Sequence, residues 1–190
     1  MTEQRPLNTS PMPLKLRIED YLALNELGAF ADYAKTELIE GEIFFMNAQH
    51  RPHARLKGNL YRLLADALKS LGNDLEALVE VSVAIPPHDS PEPDIVVTSL
   101  PVGEGLVPVT SVALVVEVAD TTLISDLGRK SVLYARAGIR EYWVADVNAR
   151  VIHQMWAPED DGYVQRCEVA FGDRIEAATI PELTLETAGI

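Results

Sequence analysis

Val112–Val118 reads Val-Ala-Leu-Val-Val-Glu-Val, an almost unbroken apolar run with one ionisable residue, Glu117, inside it. Such a run forms a strand covered on both faces, not one with a face open to water. A lone carboxylate there is costly unless a cation, a metal or a hydrogen-bond donor compensates it. The chain must therefore fold so that something is brought to Glu117. Pro93-Asp94-Ile95-Val96-Val97 repeats the pattern, one carboxylate leading an apolar strand, with enough chain between the two for a loop joining neighbouring strands. Two such carboxylates side by side make a hard, oxygen-only site. It suits Mg²⁺ or Mn²⁺, which keep several waters and take further ligands from a phosphate. An ion pair at a strand end explains either carboxylate alone; the pair together favours the metal site.

The remaining pattern predicts an α/β (α+β) chain, a mixed sheet carrying helices on its faces. A short helix is expected over Leu16–Leu27, with Ile18, Leu22 and Leu24 inward and Gly28 as its stop. Glu37–Met46 reads as two short strands joined by a Glu-Gly turn. The clearest helix carries Leu56, Leu60, Leu63, Leu64, Ala67, Leu68 and Leu71 on one face and ends at Gly72-Asn73. Strands are expected over Leu75–Ile85, Asp94–Thr98, Val112–Val118 and Glu141–Asp146, with a helix from Asp126 to Ala137 before the last. Val151–Trp156, Tyr163–Val169 and the Ile180-Pro181 segment read as a β-rich tail that covers a sheet edge. Residues 1–13, with three prolines, read as a flexible lead-in, and 14–190 as a single domain.

Asp126 and Lys130 lie one helical turn apart, with Tyr134 a further turn along the same face. They form an exposed helix ion pair, or else Lys130 projects toward the carboxylates and holds a phosphate oxygen; the spacing leaves both open. His50 and His53 flank Arg51-Pro52 just before the long helix, while His88 and His153 have no metal-binding spacing and read as surface residues. No P-loop, Gly-x-Ser-x-Gly elbow or cysteine nucleophile constellation is present, which leaves a small-molecule hydrolase without a motif.

A net charge of −13 argues against a strongly basic coat for nucleic acid and against an anionic membrane surface. Arg51, Arg55, Lys57 and Arg62 nevertheless cluster at the start of the long helix, as a local positive patch or, preferably, a solvated helix face. The single Cys167 excludes an intrachain disulfide and a Cys-rich zinc site, in keeping with a reducing cytoplasm. No apolar run is long enough to span a membrane, and Met1–Pro6 lacks a signal-peptide core, so a cytoplasmic location without membrane attachment is expected.

Glu-Pro-Asp-Ile-Val-Val at 92–97, Leu-Val-Val-Glu-Val-Ala-Asp-Thr-Thr-Leu at 114–123 and the stretch from Asp126-Leu-Gly-Arg-Lys through Glu-Tyr-Trp-Val-Ala-Asp146 together resemble the Uma-two family of restriction endonucleases. Glu37-Leu-Ile-Glu-Gly-Glu-Ile and Met46–His53 are similar to that family's opening, so the resemblance covers roughly residues 15 to 157. The family is placed in the PD-(D/E)XK nuclease superfamily, which implies a restriction-endonuclease-like mixed sheet of about four strands flanked by helices. This chain would add strands at both ends. The resemblance makes Asp94 the Asp of the PD motif and Glu117 the acidic residue of the second element, both Mg²⁺ (or Mn²⁺) ligands. The third position of that element is Ala119 instead of Lys. Lys130, on the following helix, is the replacement that the family pattern suggests, so Asp94, Glu117 and Lys130 would be the catalytic residues. Glu37 and His53 match recurring family positions and, with Asp126 and Tyr134, would line or support the same cleft. The implied activity is metal-dependent hydrolysis of nucleic-acid phosphodiesters, DNA being the expected substrate and a homodimer the expected assembly. The alternative is a catalytically degenerate nuclease-fold module acting in protein–protein or self-association.

Overall fold

The computed structural model describes residues 12–46 and 48–190, so the expected lead-in over 1–13 lies, but for its last two residues, outside the described residues. Helix α1 (Ile18–Glu26) leads into an antiparallel hairpin of β1 (Thr36–Ile39) and β2 (Glu42–Phe45). The turn between them places Glu40 and Gly41 at φ 52° and 74°, the left-handed pair that a two-residue hairpin loop requires. Gly41 is needed for space as well, since a Cβ there would stand 2.8 Å from the Lys15 Cβ. Helix α2 (Arg51–Leu71) follows, with Leu56, Leu60, Leu64 and Leu68 buried and Gly72 closing it at φ 62°.

Strands β3 (Glu76–Val79), β4 (Val83–Ala84), β5 (Ile95–Thr98), β6 (Val107–Pro108) and β7 (Val112–Ala119) come next. The crossover from β7 consists of α3 (Leu123–Ser125), a π-helical stretch Asp126–Lys130 and α4 (Ser131–Arg136). Strands β8 (Glu141–Asp146), β9 (Val151–Glu159), β10 (Gly162–Ala170), β11 (Arg174–Glu176) and β12 (Thr184–Glu186) complete the chain. The main sheet has the order β10-β9-β8-β7-β5-β3; β7 and β8 run parallel and its other neighbours antiparallel. This is the expected mixed sheet with helices on its faces, but with six strands where the resemblance implied about four.

Three expectations change in detail. Leu75–Ile85 is not one strand: Glu80 adopts φ 50° and its N–H donates to the Asp94 carbonyl, after which β4 leaves the sheet to pair with β6. Alternating apolar residues carry no sign of a left-handed break at a non-glycine residue. The helix expected from Asp126 starts three residues earlier. The tail does not cover the sheet edge but extends it, β9 and β10 being hydrogen-bonded members of the sheet. Within the tail, β11 and β12 form a separate hairpin, and Ile180-Pro181 lies between them outside any strand.

Strand alternation divides the core in two. Ile95, Val97, Leu114, Val116 and Trp143 pack with the α2 leucines, under Ile175, Leu183 and Leu185. Val96, Val115, Tyr142 and Val144 face the other way, against Leu133, Tyr134 and Ala135 of α4. Asp94 and Glu117 share the parity of this second face. Among the described residues no helix is long and apolar enough to cross a membrane.

Leu64 is fully buried and Leu63 only partly so. Leu64→Ala is expected to cost about 2–5 kcal/mol in urea unfolding, and Leu63→Ala distinctly less.

Candidate active site

Strand register brings the two carboxylates together. Ile95 pairs with Val116, so the next position sets Asp94 directly opposite Glu117. The Asp94 N–H donates to Glu117 Oε2 at 3.4 Å, and the Val118 N–H donates to Asp94 Oδ2 at 2.9 Å. The crossover supplies the cation: Lys130 Nζ lies 2.9 Å from Glu117 Oε1 and 3.3 Å from Glu37 Oε1 on β1. The Tyr134 hydroxyl donates to the same Glu117 oxygen at 2.9 Å. The π stretch turns Asp126 and Lys130 inward together, and both are buried; single π turns recur at functional positions. The exposed ion pair considered for these residues is therefore not what forms.

Helix α2 closes the other side. His53, in its first turn, places Nε2 3.2 Å from Asp94 Oδ2, and Lys57, one turn on, places Nζ 3.5 Å from Oδ1 and 2.7 Å from Glu80 Oε1. The second His53 nitrogen is buried without a hydrogen-bond partner among the described residues. A cavity of about 440 Å³ opens between these elements, lined by Glu37, His53, Asp94, Glu117, Asp126 and Lys130, with His50 and Asp120 at its wall. Tyr134 stands behind Glu117 instead of lining it.

All seven residues singled out in the sequence thus meet at one place. Lys57 was missed: it was grouped with the solvated arginines, although its spacing of four from His53 puts both on one helix face. His88 and His153 lie elsewhere, partly buried, against the Leu16 carbonyl and Glu168.

Burial pushes the Glu117 carboxyl up to about 8, against the pull of Lys130 and with added push from Asp126, Asp94 and Glu37. Burial likewise raises Asp126 to about 6, opposed by Lys130 and the Thr122 hydroxyl. Burial also acts to raise Asp94, but its bond to His53, the His53 charge, the Val118 N–H and Lys57 outweigh it and hold that carboxyl below its ordinary value. For Lys130, burial is overcome by Glu117, Glu37 and Asp126, so the ammonium stays charged beyond the usual lysine range. The cavity wall therefore carries more carboxylate than cation. Among the described residues, no three His, Cys, Asp or Glu side chains stand close enough to hold a metal ion by themselves.

A solved structure described as a "putative nuclease belonging to DUF820", from Anabaena variabilis, superposes with a TM-score of 0.61 at 16% identity, covering 85% of this chain and 89% of that one. The chain therefore shares the fold of that structure. The model of the Uma2 family, described as "Putative restriction endonuclease", matches residues 18–188, and the chain belongs to that family. No curated protein sequence matches it.

The carboxyl shifts set a pH dependence. Glu117 and Asp126 have folded-state values raised above 4.5 and 3.8. Their stabilising contribution is therefore full below those values and is lost as pH rises through about 6 for Asp126 and about 8 for Glu117. Asp94 acts oppositely, losing its contribution only on acidification. Without divalent cations, unfolding stability should fall by on the order of 3 kcal/mol between pH 5 and 9. Glu117→Gln should remove most of that fall, as read from urea midpoints at the two pH values.

Proposed function

We propose that this protein is a divalent-metal-dependent endonuclease that hydrolyses nucleic-acid phosphodiesters, DNA first, with Mg²⁺ or Mn²⁺ as the cation. One observation carries the reading: Asp94 and Glu117, opposed across β5 and β7, meet Lys130 at the wall of a single cavity. Family membership supports it. The donor set fits such an ion. Glu37, Asp94, Glu117, Asp120 and Asp126 outnumber Lys130 around the cavity, a surplus of carboxylate that a hard divalent cation would offset, and Mg²⁺ needs only one or two carboxylates when water and phosphate oxygens complete its shell.

Asp94 and Glu117 would hold the cation. Bound there, it would neutralise the scissile phosphodiester and make a coordinated water easier to deprotonate. Lys130 keeps its charge on the cavity wall and stabilises the negative charge that develops on the phosphate. It does so from the helical crossover, because the usual lysine position is Ala119, fully buried and without a donor. Glu37 fixes the Lys130 ammonium from β1, and Tyr134 orients Glu117 through its hydroxyl. His53 holds Asp94 in place through Nε2, and Asp126 adds negative charge beside Lys130.

A non-catalytic module of the same fold has one observation in its favour: the Lys130 side chain is 5% exposed and committed to two carboxylates. Calorimetric titration with Mg²⁺ and Mn²⁺, followed by cleavage assays on DNA and RNA, separates the two. Wild-type protein should bind metal, Asp94→Ala and Glu117→Ala should abolish binding, and Lys130→Met should keep binding while cleavage drops by about 10²–10³. Wild-type protein that binds no metal at millimolar concentration would leave the non-catalytic reading standing.

A further inference from the structure

Arginines next to the cleft are not used by the chemistry above. Arg51 and Arg55, one turn apart on α2, and Arg150, from the turn between β8 and β9, line a second groove of about 610 Å³ with Asn59 and Phe171. All three arginines are exposed. In a chain with 29 acidic and 16 basic residues, no Asp or Glu is among the described residues of that lining. Arg51 and Arg55 form no ion pair among the described residues. Arg150 donates one N–H to the main-chain oxygen of Ile190 at 3.0 Å and lies 5.2 Å from the Phe171 ring centre. Some basic side chains of this protein pair with neighbouring carboxylates, such as Lys15 with Glu42, Arg136 with Asp161 and Arg174 with Glu176. Arg62, Lys69, Arg129, Arg140 and Arg166 form no ion pair among the described residues, and what distinguishes Arg51, Arg55 and Arg150 is that they share one groove. A groove that gathers three exposed arginines with no acidic side chain among the described residues of its lining offers a site for an anion from outside.

Its place says which anion. His50 lines the carboxylate cavity and the next residue, Arg51, lines the arginine groove. Consecutive Cα atoms are about 3.8 Å apart, so the two concavities lie on either side of the N-terminus of α2. His53 and Lys57 point from α2 to Asp94, while Arg51 and Arg55 point to the other side. The two arginines are about 6 Å apart along the helix axis, a spacing suited to successive phosphates of one strand, which guanidinium groups grip bidentately. We propose that the Arg51–Arg55–Arg150 groove binds the phosphodiester backbone of the nucleic acid on one side of the bond cut in the carboxylate cleft. This rests on the nuclease reading of that cleft. It also explains how a protein of net charge −13 engages a polyanion: the contacts are gathered locally, not spread over the surface.

The test is fluorescence anisotropy of labelled 20-nucleotide DNA and RNA, single-stranded and duplex, across a series of salt concentrations with Ca²⁺ present. The variants are Arg51→Gln/Arg55→Gln and Arg150→Gln. Lys69→Gln is the control: an exposed cation near the far end of α2, about 27 Å along the axis from Arg51. The double variant should bind at least tenfold more weakly, and its salt slope should fall by about 0.7 per lost contact on a single strand or about 0.9 on a duplex. Lys69→Gln should match the wild type. A double variant with wild-type affinity and slope, a Lys69→Gln loss of equal size, or a wild type that binds no strand would each overturn the groove. The strand type that suffers the larger loss identifies the backbone bound. Metal titration keeps the two ideas apart, because the arginine variants should bind Mg²⁺ as the wild type does. Loss of the metal site in the wild type would instead count against the cleft's chemistry.

Discussion

The buried pair of Glu117 and Lys130 is the interaction around which the rest of the structure is arranged. A carboxylate in the middle of a sheet covered on both faces has little access to water, and removing its partner would leave a poorly compensated buried charge, worse than forming no pair at all. The crossover between β7 and β8 meets this demand by passing through a π turn that directs Lys130 inward. Tyr134 adds a second donor to the same oxygen, and the β1–β2 hairpin brings Glu37 to the other side of the ammonium. Three separate elements are therefore tied to one strand residue. The charges remain imperfectly balanced, because Asp94 and Asp126 add to the same neighbourhood.

That imbalance links stability to function. A purely structural ion pair would be matched, one cation to one anion, whereas this cleft sets several carboxyl side chains beside Lys130 at the wall of a cavity. Helix α2 mitigates it at Asp94 through His53 and Lys57, so the carboxylates differ in environment: Asp94 is held ionised and Glu117 is pushed toward protonation. Under the proposed function, two acidic groups set apart in this way, beside a fixed ammonium, would receive a hard cation and a phosphate together. The same helix divides the basic residues of its first two turns between the cleft and the neighbouring arginine groove.

Much of this was legible from side-chain pattern. Asp94, Glu117 and Lys130 stood out because a charge within or beside an apolar strand is costly, and the family motifs added Glu37 and His53. Lys57 did not stand out, since a lysine among arginines on a polar helix face looks solvated until the partner across the cleft is known. The break at Glu80 was invisible for a related reason: Val81, Val83 and Ile85 continue the alternation whether or not the strand stays in its sheet.

The sequence by itself determined that two carboxylates would lie in or beside buried strands, that α2 would present one leucine stripe, and that a helix carrying Lys130 would connect two strands. These follow from periodicity and from the cost of burying charge, which act locally along the chain. Only the tertiary structure decided that Asp94 would face Glu117, that Lys130 would turn inward through a π stretch, and that β9 and β10 would extend the sheet. It alone also set Arg150 beside Arg51 and Arg55. These outcomes depend on strand register and on packing between residues far apart in sequence, and no local pattern records which partner a strand or a charge will meet.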